Sequence, residues 1–218
     1  MDQNSSMPPP QPRKRPTQSR SRLVFDSIQQ ACLQILVEEG ADAVTTNRIA
    51  EVAGINIASL YQYFPNKEAI IALIFKEYVR NYADTVFDQL EPFRRQAEDS
   101  LEETLETIIA MRTDSVYGLY QLNPPFFKEY CRHFDILMYI NEHTQRLGNP
   151  SWEEWFEQFM QLHRHRLRSG DLTTLSFVAR SMLDGCIQTV MYSTPEKLSD
   201  DAFRKELYYA LRNYLVTQ

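Results

Sequence analysis

Long hydrophobic runs are missing from this 218-residue chain. The longest uninterrupted apolar stretch, Ala69 to Phe75, falls far short of the roughly 20 residues that a membrane-spanning helix needs. The N-terminus lacks the basic-then-apolar pattern of an export signal, so the expected location is the bacterial cytoplasm. Cysteine is rare. Cys32, Cys131 and Cys186 are odd in number and widely separated, and read as reduced thiols. No glycine-rich phosphate loop, dinucleotide fingerprint, HExxH pair or nucleophile beside a base occurs, which argues against an enzyme. His163 and His165, two residues apart, face different sides of a helix and make a poor metal pair, so neither metal nor cofactor is expected.

What is present is 43% apolar and 24% charged, enough for one or two globular domains. The net charge of -6 argues, taken whole, against a nucleic-acid partner. Its distribution argues otherwise. Residues 1–22 carry Arg13, Lys14, Arg15, Arg20 and Arg22 against Asp2 alone, whereas the chain beyond residue 67 is acidic. Such asymmetry points to a polyanion at the basic end. These first residues are rich in Pro, Ser, Gln and Arg without apolar periodicity, and are expected to be a disordered arm.

From Leu23 the pattern becomes helical: Leu23, Ile28, Ala31, Cys32, Ile35 and Leu36 recur at three and four, and Gly40 ends the run. A second helix is expected after Thr46 as far as Gly54. A third runs from Asn56 to about Phe64, where Pro65 stops it, and a fourth from Asn66 to about Leu90, closed by Pro92. Further helices are expected over 99–121, 124–147, 151–168, 172–193 and 199–216. No strand pattern appears, so the fold class is all-α.

The stretch TNRIAEVAGINIASLYQY, from Thr46 to Tyr63, meets the needs of a helix-turn-helix. Ala50 is small where two helices cross, Gly54 tolerates a positive φ in the turn, and Ile49, Ile55 and Leu60 fix one helix on the other. A helical hairpin without a DNA role would share that pattern. On the third helix, Ile57, Ser59, Tyr61, Gln62 and Tyr63 are read as outward, Leu60 and Phe64 as inward. Tyrosine hydroxyls suit phosphate oxygens, and glutamine can bond an adenine edge twice. Asn66 and Lys67 then open a helix whose free N–H groups and ammonium suit a phosphate.

These residues resemble the TetR/AcrR family of bacterial transcriptional regulators, through Thr46, Ile49, Ala50, Ala53, Gly54 and Ile55, then Leu60, Tyr61, Tyr63 and Phe64, then Asn66, Lys67 and Glu68. Tyr63 stands where the family often has histidine. The resemblance covers about residues 22–75. It implies a disordered arm over 1–21, a DNA-binding domain over 22–68, and a helical ligand-binding and dimerisation domain over 69–218. The DNA-contact candidates are Thr46, Asn47, Arg48, Ile57, Ala58, Ser59, Tyr61, Gln62, Tyr63 and Lys67. Arg13, Lys14 and Arg15 read equally as a minor-groove arm or as a solvated tail.

The implied function is a repressor that leaves a palindromic operator when a small, largely apolar effector binds. Two alternatives stand beside it: a DNA-binding protein of the same fold with no small ligand, and a carrier or scaffold that no longer binds DNA. The effector-pocket candidates are Met111, Arg112, Tyr117, Phe127, Tyr130, Phe134, Trp152, Trp155, Phe159 and Met182. Arg112 shares a stripe with Leu101, Leu105 and Ile108; its expected partner is Glu106, Asp114 or an anionic ligand. For the homodimer, the stripes Leu175, Val178, Ala179, Met182 and Cys186, and Phe203, Leu207, Leu211 and Tyr214, are the candidate interface. An intrachain core would look the same.

Overall fold

The computed structural model describes residues 9–14, 16–88, 90–131, 138, 141–142, 145–146 and 148–216. The described residues form ten α-helices: α1 (Ser19–Glu38), α2 (Thr46–Val52), α3 (Ile57–Tyr63), α4 (Lys67–Asp88), α5 (Leu90–Asp99), α6 (Leu101–Leu122), α7 (Pro124–Tyr130), α8 (Trp152–Leu162), α9 (Leu172–Ser193) and α10 (Asp201–Leu215). Short 3-10 turns lie at Ala41–Ala43, Arg164–Arg166 and Pro195–Ser199. Extended pairing among the described residues is limited to one isolated bridge, Leu167 with Val216. No described helix is long and apolar enough to cross a membrane.

The chain divides into two compact units. The first takes the described residues within Met1–Tyr78 and Leu119–Phe134, the second those within Val79–Gly118 and Asp135–Gln218. In the first unit, α1 buries Phe25, Ile28, Ala31, Cys32, Ile35 and Leu36 along one face. It stops at Gly40, whose φ of 88° lets its N–H return to the Ile35 carbonyl. The Phe25 ring stacks on Phe64 at 4.8 Å, and Phe75 meets Phe126 at 4.9 Å. Asn123 accepts from the Phe126 N–H and starts α7, with Pro124 and Pro125 in its first turn.

In the second unit, α9 packs against both α8 and α10. Leu175, Ala179, Leu183 and Ile187 of α9, Phe156, Phe159 and Met160 of α8, and Leu207, Leu211 and Leu215 of α10 are buried. Ser151 and Glu154 form a reciprocal capping box at the start of α8, and Asp171 and Asp200 cap α9 and α10. The helix α5 was not foreseen. Pro92 was expected to end a helix and instead sits in the first turn of one, where the missing N–H has no intrahelical partner to lose.

Candidate nucleic-acid interface

Three short-range devices shape α2 and α3. The Thr45 hydroxyl accepts from the Arg48 N–H at 3.1 Å, so the cap of α2 is Thr45, one residue before the expected Thr46. Gly54 turns the chain at φ 66°, and Asn56 caps α3 by accepting from the Ala58 N–H at 2.8 Å. Ile49, Ala50 and Leu60 are buried where the two helices meet. Because α3 has only seven residues, burying Leu60 and Phe64 fixes which side is left outward.

That outward side carries Ala58, Tyr61 and Gln62, all exposed, with Ile57 and Ser59 half-buried; on α2, Asn47 is exposed and Thr46 half-buried. Tyr61 is 40% exposed, and its hydroxyl lies 3.1 Å from that of Thr46. The pair places two hydroxyls, each able to donate or accept, beside an amide on one surface. Such groups can bond phosphate oxygens and base edges.

Three candidates stand elsewhere than expected. Tyr63 does not face outward: it is 7% exposed, with its ring edge-on to Phe25 at 5.9 Å. The physical reason is the helical period, which puts residue 63 on the same side as Leu60 and Phe64. Arg48 is not an open cation, since it lies 2.7 Å from Glu39 and 2.9 Å from Glu51. The hydrogen bond from Arg48 holds the Glu39 carboxyl below its ordinary range, and the two acids push the guanidinium pKa up. Lys67 donates its ammonium to the Val44 carbonyl at 3.1 Å and tethers α4 to the loop before α2. Its neighbour Asn66 accepts from the Ala69 N–H at 3.0 Å.

In the second unit, Arg112 lies between the Trp152 ring, 4.0 Å away, and the Asp184 carboxylate, with which it forms an ion pair. Asp184 is thus the partner, in place of Glu106 or Asp114; Asp114 pairs with Arg204. Trp152 stacks on Trp155 at 5.5 Å, and Trp155 stacks on Phe159 at 5.5 Å. Met111, Tyr117 and Met182 are half-buried in that unit, and the Met111 carbonyl accepts from the Tyr82 hydroxyl. Phe127 and Tyr130 belong to the first unit, and Phe134 lies outside the described residues. A groove of about 280 Å³ in the second unit is lined by Glu106, Ile109, Ala110, Arg204, Lys205, Tyr208 and Tyr209, none of them among the pocket candidates.

Four of the nine interface candidates are corrected outright. Leu175, Ala179, Leu207 and Leu211 are buried in the core of the unit itself, where α9 meets its neighbours. Val178, Met182, Phe203 and Tyr214 are half-buried, and Cys186 is exposed. The opposite side of α9 shows Phe177, 59% exposed, Ser181, Gly185 and Tyr192, and α10 shows Tyr209. His163 is buried, with Nε2 2.7 Å from the Ala97 carbonyl, and serves as a core bond.

The sequence pattern missed the placement of the arm. Within the first unit, residues 9–14 lie at the end of α3, with the Arg13 N–H donating to the Tyr63 carbonyl at 2.7 Å. Only the orphan carbonyls at the end of a two-turn helix could have signalled such a contact.

Residues 28–74 match the sequence model described as bacterial regulatory proteins, tetR family. The chain is 28% identical over 147 residues to the nucleoid occlusion factor SlmA of Aliivibrio fischeri strain MJ11, covering 66% of this chain and 69% of that protein. It is 27% identical over the same length to SlmA of Vibrio campbellii, with the same coverage. Among solved structures, the transcriptional regulator FadR of Bacillus subtilis in complex with stearoyl-CoA is 19% identical with a TM-score of 0.47, covering 87% of this chain and 98% of that one. Proteins of this family are DNA-binding regulators rather than enzymes. Over its helix-turn-helix, residues 28–74, the chain is similar to the TetR family of bacterial regulatory proteins.

Proposed function

We propose that the protein is a homodimeric repressor in the bacterial cytoplasm, and that the exposed side of α3 reads a palindromic operator from which a small effector releases it. The observation that carries the DNA reading is the juxtaposition of Tyr61, Gln62 and Thr46 on one exposed surface, with the Thr46 and Tyr61 hydroxyls 3.1 Å apart. Asn47, Ala58, Ser59 and Ile57 complete the contact set. Phosphate contacts position the helix, and base-edge contacts from α3 set sequence. The proposed dimer uses the outward side of α9 and α10, through Phe177, Gly185, Tyr192 and Tyr209. Gly185 lets a second helix approach closely, and Phe177 and Tyr192 supply apolar area.

The effector is proposed to act on the second unit, where the two tryptophans of the chain stack beside Arg112. For release, it must bind the DNA-incompetent state more tightly than the DNA-bound one. A second reading, DNA binding without a small effector, is favoured by the Arg112–Asp184 pair, which leaves that guanidinium already neutralised. The curated relatives named as nucleoid occlusion factors also fit it.

Selection of duplexes from a random-sequence pool tests the first reading. Enriched sequences should carry two inverted half-sites about one helical turn, 10–10.5 base pairs, or a multiple apart. Enrichment of a single half-site would contradict the dimer, and no enrichment would contradict sequence-specific regulation. Tryptophan fluorescence during a screen of apolar metabolites separates the two effector readings: a compound that both changes emission and releases the selected duplex supports the repressor, and uniform silence supports the second reading.

A further inference from the structure

The first described stretch of chain is fastened to the recognition helix. The Arg13 N–H donates to the Tyr63 carbonyl at 2.7 Å, the Lys14 ammonium lies 5.1 Å from the centre of the Tyr63 ring, the Lys76 ammonium donates to the Gln11 side chain at 3.1 Å, and Pro9 is buried. Each contact has a physical cause. The last carbonyls of a helix have no intrahelical partner, and Arg13 supplies a donor to one of them. Cations near a helix C-terminus meet the negative end of its dipole, and the face of a tyrosine ring attracts an ammonium.

Arg48 and Lys67 already have intramolecular partners in Glu39, Glu51 and the Val44 carbonyl. Arg13 and Lys14 are exposed and pair with no acid among the described residues. We propose that residues 9–14 form a docked strap that presents Arg13 and Lys14 as phosphate contacts at the C-terminal edge of the recognition helix, with Tyr63 as the residue that positions them. This rests on the DNA-binding reading above. It differs from the minor-groove arm because a backbone tied to the end of α3 places the two charges beside the groove the helix enters. Phosphate contacts carry no sequence information, so the strap acts on every duplex alike.

The test measures affinity against salt concentration for one A·T-rich and one G·C-rich mixed-sequence duplex. The Arg13→Ala/Lys14→Ala variant, which removes two cations from each subunit of the dimer, is expected to reduce the magnitude of the slope of log affinity against log salt by about 4, equally on both duplexes. An unchanged slope overturns the proposal. A loss confined to the A·T-rich duplex overturns it in favour of minor-groove entry. Tyr63→Phe keeps the ring and should bind as the wild type. Tyr63→Leu removes the platform and should add no loss to that of Lys14→Ala; fully additive losses would overturn the docking. Tyr61→Ala/Gln62→Ala serves as the control and should lose sequence preference while keeping the slope. A failed strap with that control intact leaves the DNA reading standing, whereas a wild type that binds neither duplex overturns both.

Discussion

Gly54 holds φ at 66°, and a Cβ added there would meet nothing within 4 Å. The cost of Gly54→Ala is therefore a backbone cost alone, about 1–2 kcal/mol for an L-residue in the left-handed region. Urea denaturation should show that loss without a change in the dependence on denaturant. Cys32 gives a second residue-scale prediction. Burial pushes its thiol up to about 12, and the nearby Lys67 ammonium pulls weakly the other way. With Cys131 also buried and Cys186 exposed, a thiol reagent at neutral pH should label Cys186 rapidly and the other two only on unfolding. Rapid labelling of all three would contradict the packing of α1 and α7.

At the scale of elements, a seven-residue helix has almost no stability of its own and stands through its cap and its buried face. Asn56→Ala should cost about 1 kcal/mol, read as a lower unfolding midpoint, with the sharpest loss of amide protection in α3. Much of this element was legible in the sequence, because caps, the turn glycine and the buried Leu60 are local signals. Tyr63 is not legible from its residue type, because a phenol suits a phosphate and a core alike, and only the helical period places it. Leu60, Tyr63 and Phe64 stand at three and four, which is one side of a helix. The helix α5 was illegible for another reason, since proline both ends helices and opens them. For α9 and α10, an apolar stripe in sequence does not say whether its partner is the same chain or a copy. The burial of Leu175, Ala179, Leu207 and Leu211 assigns those residues to the chain itself.

At the scale of the molecule, long-range pairs between charges far apart in sequence were the least readable. Glu102 receives both guanidinium nitrogens of Arg166, at 2.5 and 2.7 Å, with Arg212 at 3.9 Å. The Arg166 hydrogen bond is the largest cause holding the Glu102 carboxyl below its ordinary value of 4.5. A lowered native pKa means that the stabilisation is present above the unfolded value and is lost as pH falls through the native one. Wild-type stability should therefore fall more steeply than that of Glu102→Gln as pH drops below the ordinary carboxyl value of 4.5. Equal slopes in the two proteins would show that the pair is inert in solution. In the proposed reading, charge at the basic end draws the duplex and α3 reads it.

The decisive measurement compares the preference of wild type and Tyr61→Ala/Gln62→Ala for a selected duplex over a mixed-sequence one, with helical content checked by circular dichroism. The exposed side of α3 predicts that the variant folds, retains salt-dependent binding and loses discrimination worth about 1–3 kcal/mol for each base contact removed. A folded variant that keeps the full wild-type preference would contradict the assignment of α3 as the reading helix.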